Sequence, residues 1–313
     1  MDTLIAQEII KCLPSGRTIF HYFKDRYSPI LLKYIVGNGK KISEIKSSNF
    51  GKLLSKPIVK PVLAKSGNGE IAAQDFDNLW DQYSEPFILT LGTWGDDDWK
   101  YNQTSRPGVN LVLQLNFSGV HDEYYNKLIK PSSGTTPFDY GCHPTNKSAR
   151  NTLAWARIDL DLQNNEALIE EIQNDWLRIA DRKRARMMRY ISNNRVPNRY
   201  EFQGINCSYQ ELNEYVAKLE NYKRIWDEAM LAAAIWFIRD EIGITNIFYH
   251  THETGSKLKH IDYAHPPKSI YTKLPKQFCF SETEQIPIML ESNSASRRLM
   301  KKIKYKQWYY LEL

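Results

Sequence analysis

Apolar positions change their period several times along the chain, and each change marks an element. Residues 2–12 set Leu4, Ile5, Ile9 and Ile10 at helical spacing and stop at Leu13-Pro14-Ser15-Gly16, the pattern of a short amphipathic helix. The spacing predicts a second helix over 19–36, closed by Gly37-Asn38-Gly39, with Pro29 as a point where it could divide. Short helical turns follow at Ile42-Ser43-Glu44-Ile45 and over 50–54, ahead of Pro57 and Pro61. Residues 66–110 lose periodicity, gather Gly67, Gly69, Gly92, Gly95 and Gly108, and read as loop-rich. Within them Asp96, Asp97 and Asp98 read as a solvated turn, since they lack the alternate spacing of a calcium loop.

From Asn110 the pattern turns to strands. Leu111, Val112, Leu113, Leu115 and Phe117 define one strand, followed by the polar stretch His121 to Tyr125. Residues 130–147, with three prolines and two glycines, predict a long connection. Strands over 153–162 and 167–176 meet across Gln163-Asn164-Asn165-Glu166, a hairpin turn. On the first, Ala154, Ala156, Ile158 and Leu160 share a face. On the second, Leu168, Ile172 and Trp176 share a face with Glu170, while Ile169, Glu171, Gln173 and Asp175 line the other. Ser208 and Glu211 form a capping box ahead of the longest helix, 209–242, in which Leu212, Tyr215, Leu219, Tyr222, Trp226, Met230, Ala233 and Phe237 keep helical spacing. Gly243 closes that helix, and a buried strand over 244–252 follows, broken at Gly255-Ser256. The order predicts an α+β (or α/β) fold: a helical N-terminal region, then a mixed β-sheet domain with one long helix.

Composition supports a packed core, with 12 Phe, 19 Tyr and 8 Trp in 313 residues and no apolar run long enough for a membrane span. The acidic start of the chain is unlike a secretory signal, and Cys12, Cys142, Cys207 and Cys279 show no zinc or disulfide spacing. A cytoplasmic protein without a membrane partner is the expectation. The net charge of +6 hides a segregation: Lys/Arg exceed Asp/Glu by 8 over 1–65 and again over 177–313, while acids exceed bases by 10 over 66–176. Residues 178–199 hold eight basic residues against Asp181 alone, and 297–306 hold six with no acid before Trp308-Tyr309-Tyr310. Three regions follow: a basic helical region at 1–65, a mixed α/β core at 66–280 and a basic tail at 281–313. The bland alternative is that the three blocks meet and neutralise one another in the fold.

Glu171-Ile172-Gln173-Asn174-Asp175-Trp176, the Trp226-opened helix, Gly243, Thr254-Gly255 and Tyr271-Thr272-Lys273-Leu274-Pro275 together resemble a domain of the large polyvalent proteins of phages and conjugative elements. That family's string reads nearly Glu-Ile-Gln-Ser-Asp-Trp, so Asn174 stands where Ser is usual. The resemblance spans about residues 110–280 and implies a role in phage or mobile-element conflict, defence or counter-defence, with a protein partner encoded nearby. It brings context and no chemistry. The order of hairpin, helix, strand, helix and strand also resembles the GNAT-type acetyltransferase fold. That fold implies acetyl-CoA, with its pyrophosphate on the helix after a splayed strand, here 167–176. The family's Gln/Arg-x-x-Gly-x-Gly/Ala loop is absent, and a basic insertion takes its place.

The side chains supply the candidate site. Glu171, Gln173 and Asp175 projecting from one strand face could act as a base and its orienting partners. Trp176, Thr254, Gly255 and Lys257 are the candidates for holding a substrate or cofactor. His250 and His252, if the strand reaches both, could join a carboxylate around a divalent metal. Cys142-His143 reads as structural, because neighbours on a chain seldom face each other. Arg178, Arg182, Lys183, Arg184, Arg186 and Arg189 could track a nucleic-acid backbone, which makes a binding module the alternative to an enzyme. A third reading is a subunit that docks a partner on the long helix. On the catalytic reading, alanine at Glu171 and Asp175 abolishes the role and leaves the fold intact.

Overall fold

The computed structural model describes residues 1–12, 18–95, 99–145, 150–197, 200–261 and 267–313. The break at 13–16, the run Asp96, Asp97 and Asp98, Lys147 and Arg199 lie outside the described residues. An eight-stranded mixed sheet organises the chain. In chain order its strands are β1 (Thr18–Tyr22), β2 (Glu85–Trp94), β3 (Asn110–Asn116), β4 (Thr152–Asp161), β5 (Glu166–Gln173), β6 (Asn246–His250), β7 (Ser281–Thr283) and β8 (Trp308–Glu312). Across the sheet they run β1-β2-β3-β4-β5-β6-β8-β7. Each pair is antiparallel except β5 with β6, which is parallel. The principal helices are α1 (Thr3–Cys12), α2 (Tyr27–Val36), α3 (Gly119–Ile129), α4 (Trp176–Ser192), α5 (Tyr209–Lys218), α6 (Glu220–Trp236), α7 (His252–Leu258) and α8 (Ser294–Met300). The architecture is α+β, and among the described residues no helix is long and apolar enough to cross a membrane.

Four elements differ from the sequence reading. Residues 18–22 form a strand rather than the first half of a helix, because Thr18, Ile19, Phe20 and Tyr22 favour a pleated surface and pair with β2. The helix proper starts at Tyr27, which places Pro29 in its first turn, where the missing N–H has no helical acceptor to lose. Strand β2 lies in the stretch read as loop, with Phe87, Ile88 and Leu89 buried in succession. The polar stretch His121 to Tyr125 is the middle of α3. Finally, the long helix divides at Leu219 into α5 and α6, and α6 closes with a π-helical turn, Phe237–Glu241, before Gly243 turns the chain at φ +84°. Ser208 Oγ accepts from Glu211 N–H, and Glu211 returns the bond to Ser208 N–H, as the capping box requires.

The basic ends of the chain are built into the sheet. The first block supplies the edge strand β1, and the last residues supply β8 between β6 and β7. Two apolar layers result. The larger lies under α6 and takes Ala154, Ala156, Ile158 and Leu160 of β4 on one face, as their alternation predicts. The smaller joins Leu168, Phe248, Leu258, Met289 and Trp308 on the opposite face. Leu168 and Ile172 therefore do not share a face. A β-bulge causes this: Arg157 pairs with Glu171 and the next residue, Ile158, with Ile169, which leaves Glu170 as an extra residue in β5. The bulge resets the alternation, so Ala167, Ile169 and Ile172 meet the larger layer while Leu168, Glu170 and Glu171 turn the other way.

Candidate functional site

Strands β5 and β6 pair from Glu166↔Asn246 to Ile169↔Tyr249 and no further. The bulge at Glu170 falls where the pairing ends. Past it, the carboxyl end of β5 and the start of α4 border a cleft of about 630 Å³. Its polar wall carries Gln103, Cys142, His143, Glu171, Gln173, Asn174 and Arg178, and its apolar wall Ile172, Leu177, Trp226, Ile261, Pro267 and Ile270. The size and the mixed lining suit a small-molecule substrate.

One pairing in this wall has the form of a general base. Asp175, buried at the N-cap of α4, accepts from His143 Nδ1 at 2.5 Å and from Arg178 at 2.8 Å. A carboxylate can only accept, so Nδ1 carries a proton, which leaves Nε2 as the ring nitrogen that can take one up. His143 stands on the connection after α3, with its side chain 24% exposed and on the cleft wall. Tyr140 props the same segment: Arg178 lies over its ring at 5.3 Å, and Arg182 donates to its hydroxyl at 3.0 Å. The sequence reading placed Asp175 in the site and set His143 aside with its neighbour Cys142, whereas the partner His143 meets is 32 residues away.

Glu171 and Gln173 do project together, yet their bonds run inward. Gln173 donates to Glu171, and Glu171 pairs with the buried Arg157 and lies 3.7 Å from the buried Lys259 Nζ. Lys259 also donates to the Glu170 carbonyl at 2.8 Å. Burial alone would raise Glu171, but the fields of Lys259 and Arg157 outweigh it and hold the carboxyl at about 2. Glu170 faces Ser105 and His250: it accepts from Ser105 N–H at 3.0 Å and from Ser105 Oγ at 2.7 Å, and His250 Nε2 lies 3.2 Å away. Against the burial penalty, the His250 hydrogen bond and the Lys259 field hold Glu170 at about 2 as well. Burial pushes His250 below its ordinary value, against the pull of Glu170. Two buried carboxylates thus face two buried cations, and this network forms the floor beneath the cleft.

No family model matches the chain, and no curated protein or solved structure does either.

The remaining sequence candidates lie apart from the cleft. Trp176 is fully buried: it donates to Tyr215 Oη at 2.6 Å amid Phe117, Tyr125 and Phe138. Thr254 and Gly255 fasten α7 to β6, where His250 Nδ1 lies 3.3 Å from Thr254 Oγ1 and a Cβ on Gly255 would come within 3.2 Å of His250 Cβ. Lys257 is exposed and absent from the cleft wall, whereas Lys259, two residues on, reaches Glu171. Strand β6 ends at His250, so His252 opens α7 and the two imidazoles do not leave one strand together. Among the described residues no group of three or more His, Cys, Asp or Glu is placed to hold a metal ion. On α4, Arg184 pairs with Asp181 at 3.4 Å and Arg186 with Glu201 at 3.1 Å, while Lys183 is half-buried and Arg189 exposed. The sequence reading missed Arg157, took His143 as structural and did not place Lys259 beside Glu171. Arg157 carried no signal beyond being a single cation among apolar neighbours.

Proposed function

We propose that this chain catalyses a group transfer in the cleft where β5 and β6 part, with His143 as general base and Asp175 as the residue that orients it. The His143–Asp175 pair carries the reading: a buried carboxylate fixes the tautomer of a partly exposed imidazole on the wall of a substrate-sized cleft. The parallel pair that separates at its carboxyl end supports an acyl donor of the acetyl-CoA class, in line with the resemblance to GNAT-type acetyltransferases. In such a step His143 Nε2 takes the proton from an acceptor amine or hydroxyl as its N or O bonds to the acyl carbon. The carbon–sulfur bond then breaks, and the thiolate leaves with that proton. At the first turn of α4 Leu177 N–H is already taken by Asn174 Oδ1 at 2.9 Å, and the Asp175 carboxylate beside it would repel a phosphate. The donor's phosphates therefore belong on Arg182 and Lys183, which border Tyr140 at the rim, rather than on backbone N–H groups. Placing this activity in phage or mobile-element conflict rests on the Glu171-to-Trp176 string.

The test is a thermal-shift comparison of the protein with acetyl-CoA and with short duplex and single-stranded DNA, each at two salt concentrations. At about 100 times its dissociation constant a ligand stabilises the fold by about 2.7 kcal/mol. A shift with acetyl-CoA that survives salt is the expected result. A shift with DNA alone, lost in salt, would move the reading to the basic face of α4.

A further inference from the structure

A second cleft, of about 400 Å³, lies at the far edge of the sheet between β1, the start of α2, residues 76–80 and the end of α6. Four strand spacings separate β1 from β5, on the order of 19 Å. The two clefts share no residue.

Aromatic rings line much of this cleft. Trp80, 59% exposed, meets the His21 ring at 4.8 Å, and Trp236 meets Phe20 at 6.1 Å. Arg26 lies among them, its guanidinium 5.4 Å from the centre of the Phe20 ring and 5.9 Å from that of Phe23. The other charged groups in the wall are already satisfied: Lys33 pairs with Asp77 at 2.6 Å, and Asp240 accepts from Tyr34 Oη at 2.8 Å. Arg26 is different. Among the described residues it makes no side-chain hydrogen bond and no ion pair, and its Nη1 is buried without an acceptor. His21 Nδ1 is likewise buried without a partner, and burial together with Arg26 pushes that imidazole below its ordinary value. A half-buried guanidinium with five donors and no acceptor costs stability unless something else meets it. Its planar fork fits a carboxylate in two parallel hydrogen bonds, while the rings around it offer a flat apolar body a face to lie against.

We propose that this cleft binds a small planar organic anion, an aromatic or heteroaromatic carboxylate, with its carboxylate on Arg26 and its ring against Trp80 and Phe20. The site is independent of the group-transfer reading and stands or falls separately.

The experiment titrates the protein with benzoate and indole-3-carboxylate, with their neutral carboxamides, and with inorganic phosphate, followed by tryptophan fluorescence and melting temperature. The acids are expected to bind at least tenfold more tightly than the amides, and phosphate to compete weakly. Arg26→Gln should weaken the acids at least tenfold, and Trp80→Ala several-fold, with the response to acetyl-CoA unchanged in both. Trp80 is exposed, so its replacement tests the site even if the Arg26 variant folds poorly, and the acid–amide comparison needs no variant. Amides that bind as well as acids would overturn the assignment. So would phosphate that matches benzoate, or acids that bind both variants like the wild type.

Discussion

Glu171 sits in the cleft wall and in the buried floor at once, and the two positions have different consequences. Alanine there would strand Arg157 and Lys259 without their shared carboxylate, so Glu171→Ala is expected to lose about 3–5 kcal/mol in urea unfolding rather than leave the fold intact. Asp175→Asn keeps the size of the side chain but removes its charge and puts an N–H donor in place of one carboxylate oxygen, so the His143 tautomer is no longer fixed. It should melt within a few degrees of the wild type while transfer falls about 100-fold or more. The buried acids and imidazoles also set the pH dependence. Glu170 and Glu171 lie at about 2 in the fold against an ordinary 4.5, so their contribution is complete above about pH 4.5 and disappears as pH falls toward 2. His121 and His250 are pushed below 6.5 by burial, so the unfolded chain takes up protons there that the fold refuses. Urea unfolding between pH 7 and 4 should therefore show stability falling with pH from about 6.5 downward. Each such proton adds up to about 1.4 kcal/mol per pH unit to the slope. A profile flat from pH 7 to 5 would contradict that downward shift.

Among the elements, those with a local chemical signature were legible in the sequence. The Ser208–Glu211 box, the 163–166 turn and the alternation of Ala154 to Leu160 each name their own structure, and each is present. Ser208→Ala should cost about 1 kcal/mol in an unfolding titration. What the chain does not announce is the bulge, because an extra Glu170 beside Glu171 has no residue-type mark and reveals itself only in pairing with β4. The site was half legible for the same reason. Asp175 came from a motif, while His143 reaches it through a proline-rich connection whose path depends on tertiary contacts. That connection is pinned at Gly204, which has φ +80° and a Cβ direction that ends 2.5 Å from Thr135 Oγ1. Its carbonyl also accepts from Ser132 N–H at 3.3 Å. Gly204→Ala is expected to cost on the order of 1–2 kcal/mol and to lower activity by displacing the segment that presents His143. Full activity in that variant would detach the segment's position from the chemistry.

For the molecule as a whole, charge segregation resolves into neighbours within one sheet. Basic first and last blocks flank an acidic middle that supplies β2 to β5, and several of their charges meet directly, as Lys33 does with Asp77 and Lys259 with Glu171. Two clefts then occupy opposite parts of the sheet, one at the parting of β5 and β6 and one at the β1 edge. In the first, on the proposed function, a base built from His143 and Asp175 deprotonates the acceptor that attacks an acyl donor held there. Release of free thiol from acetyl-CoA, measured for the wild type and for His143→Gln, tests it most directly, since even transfer to water liberates the thiol. Release above the buffer rate by the wild type, reduced about 100-fold or more in His143→Gln at an unchanged melting temperature, is the predicted result. Release at the buffer rate, or equal release by both proteins, would contradict it.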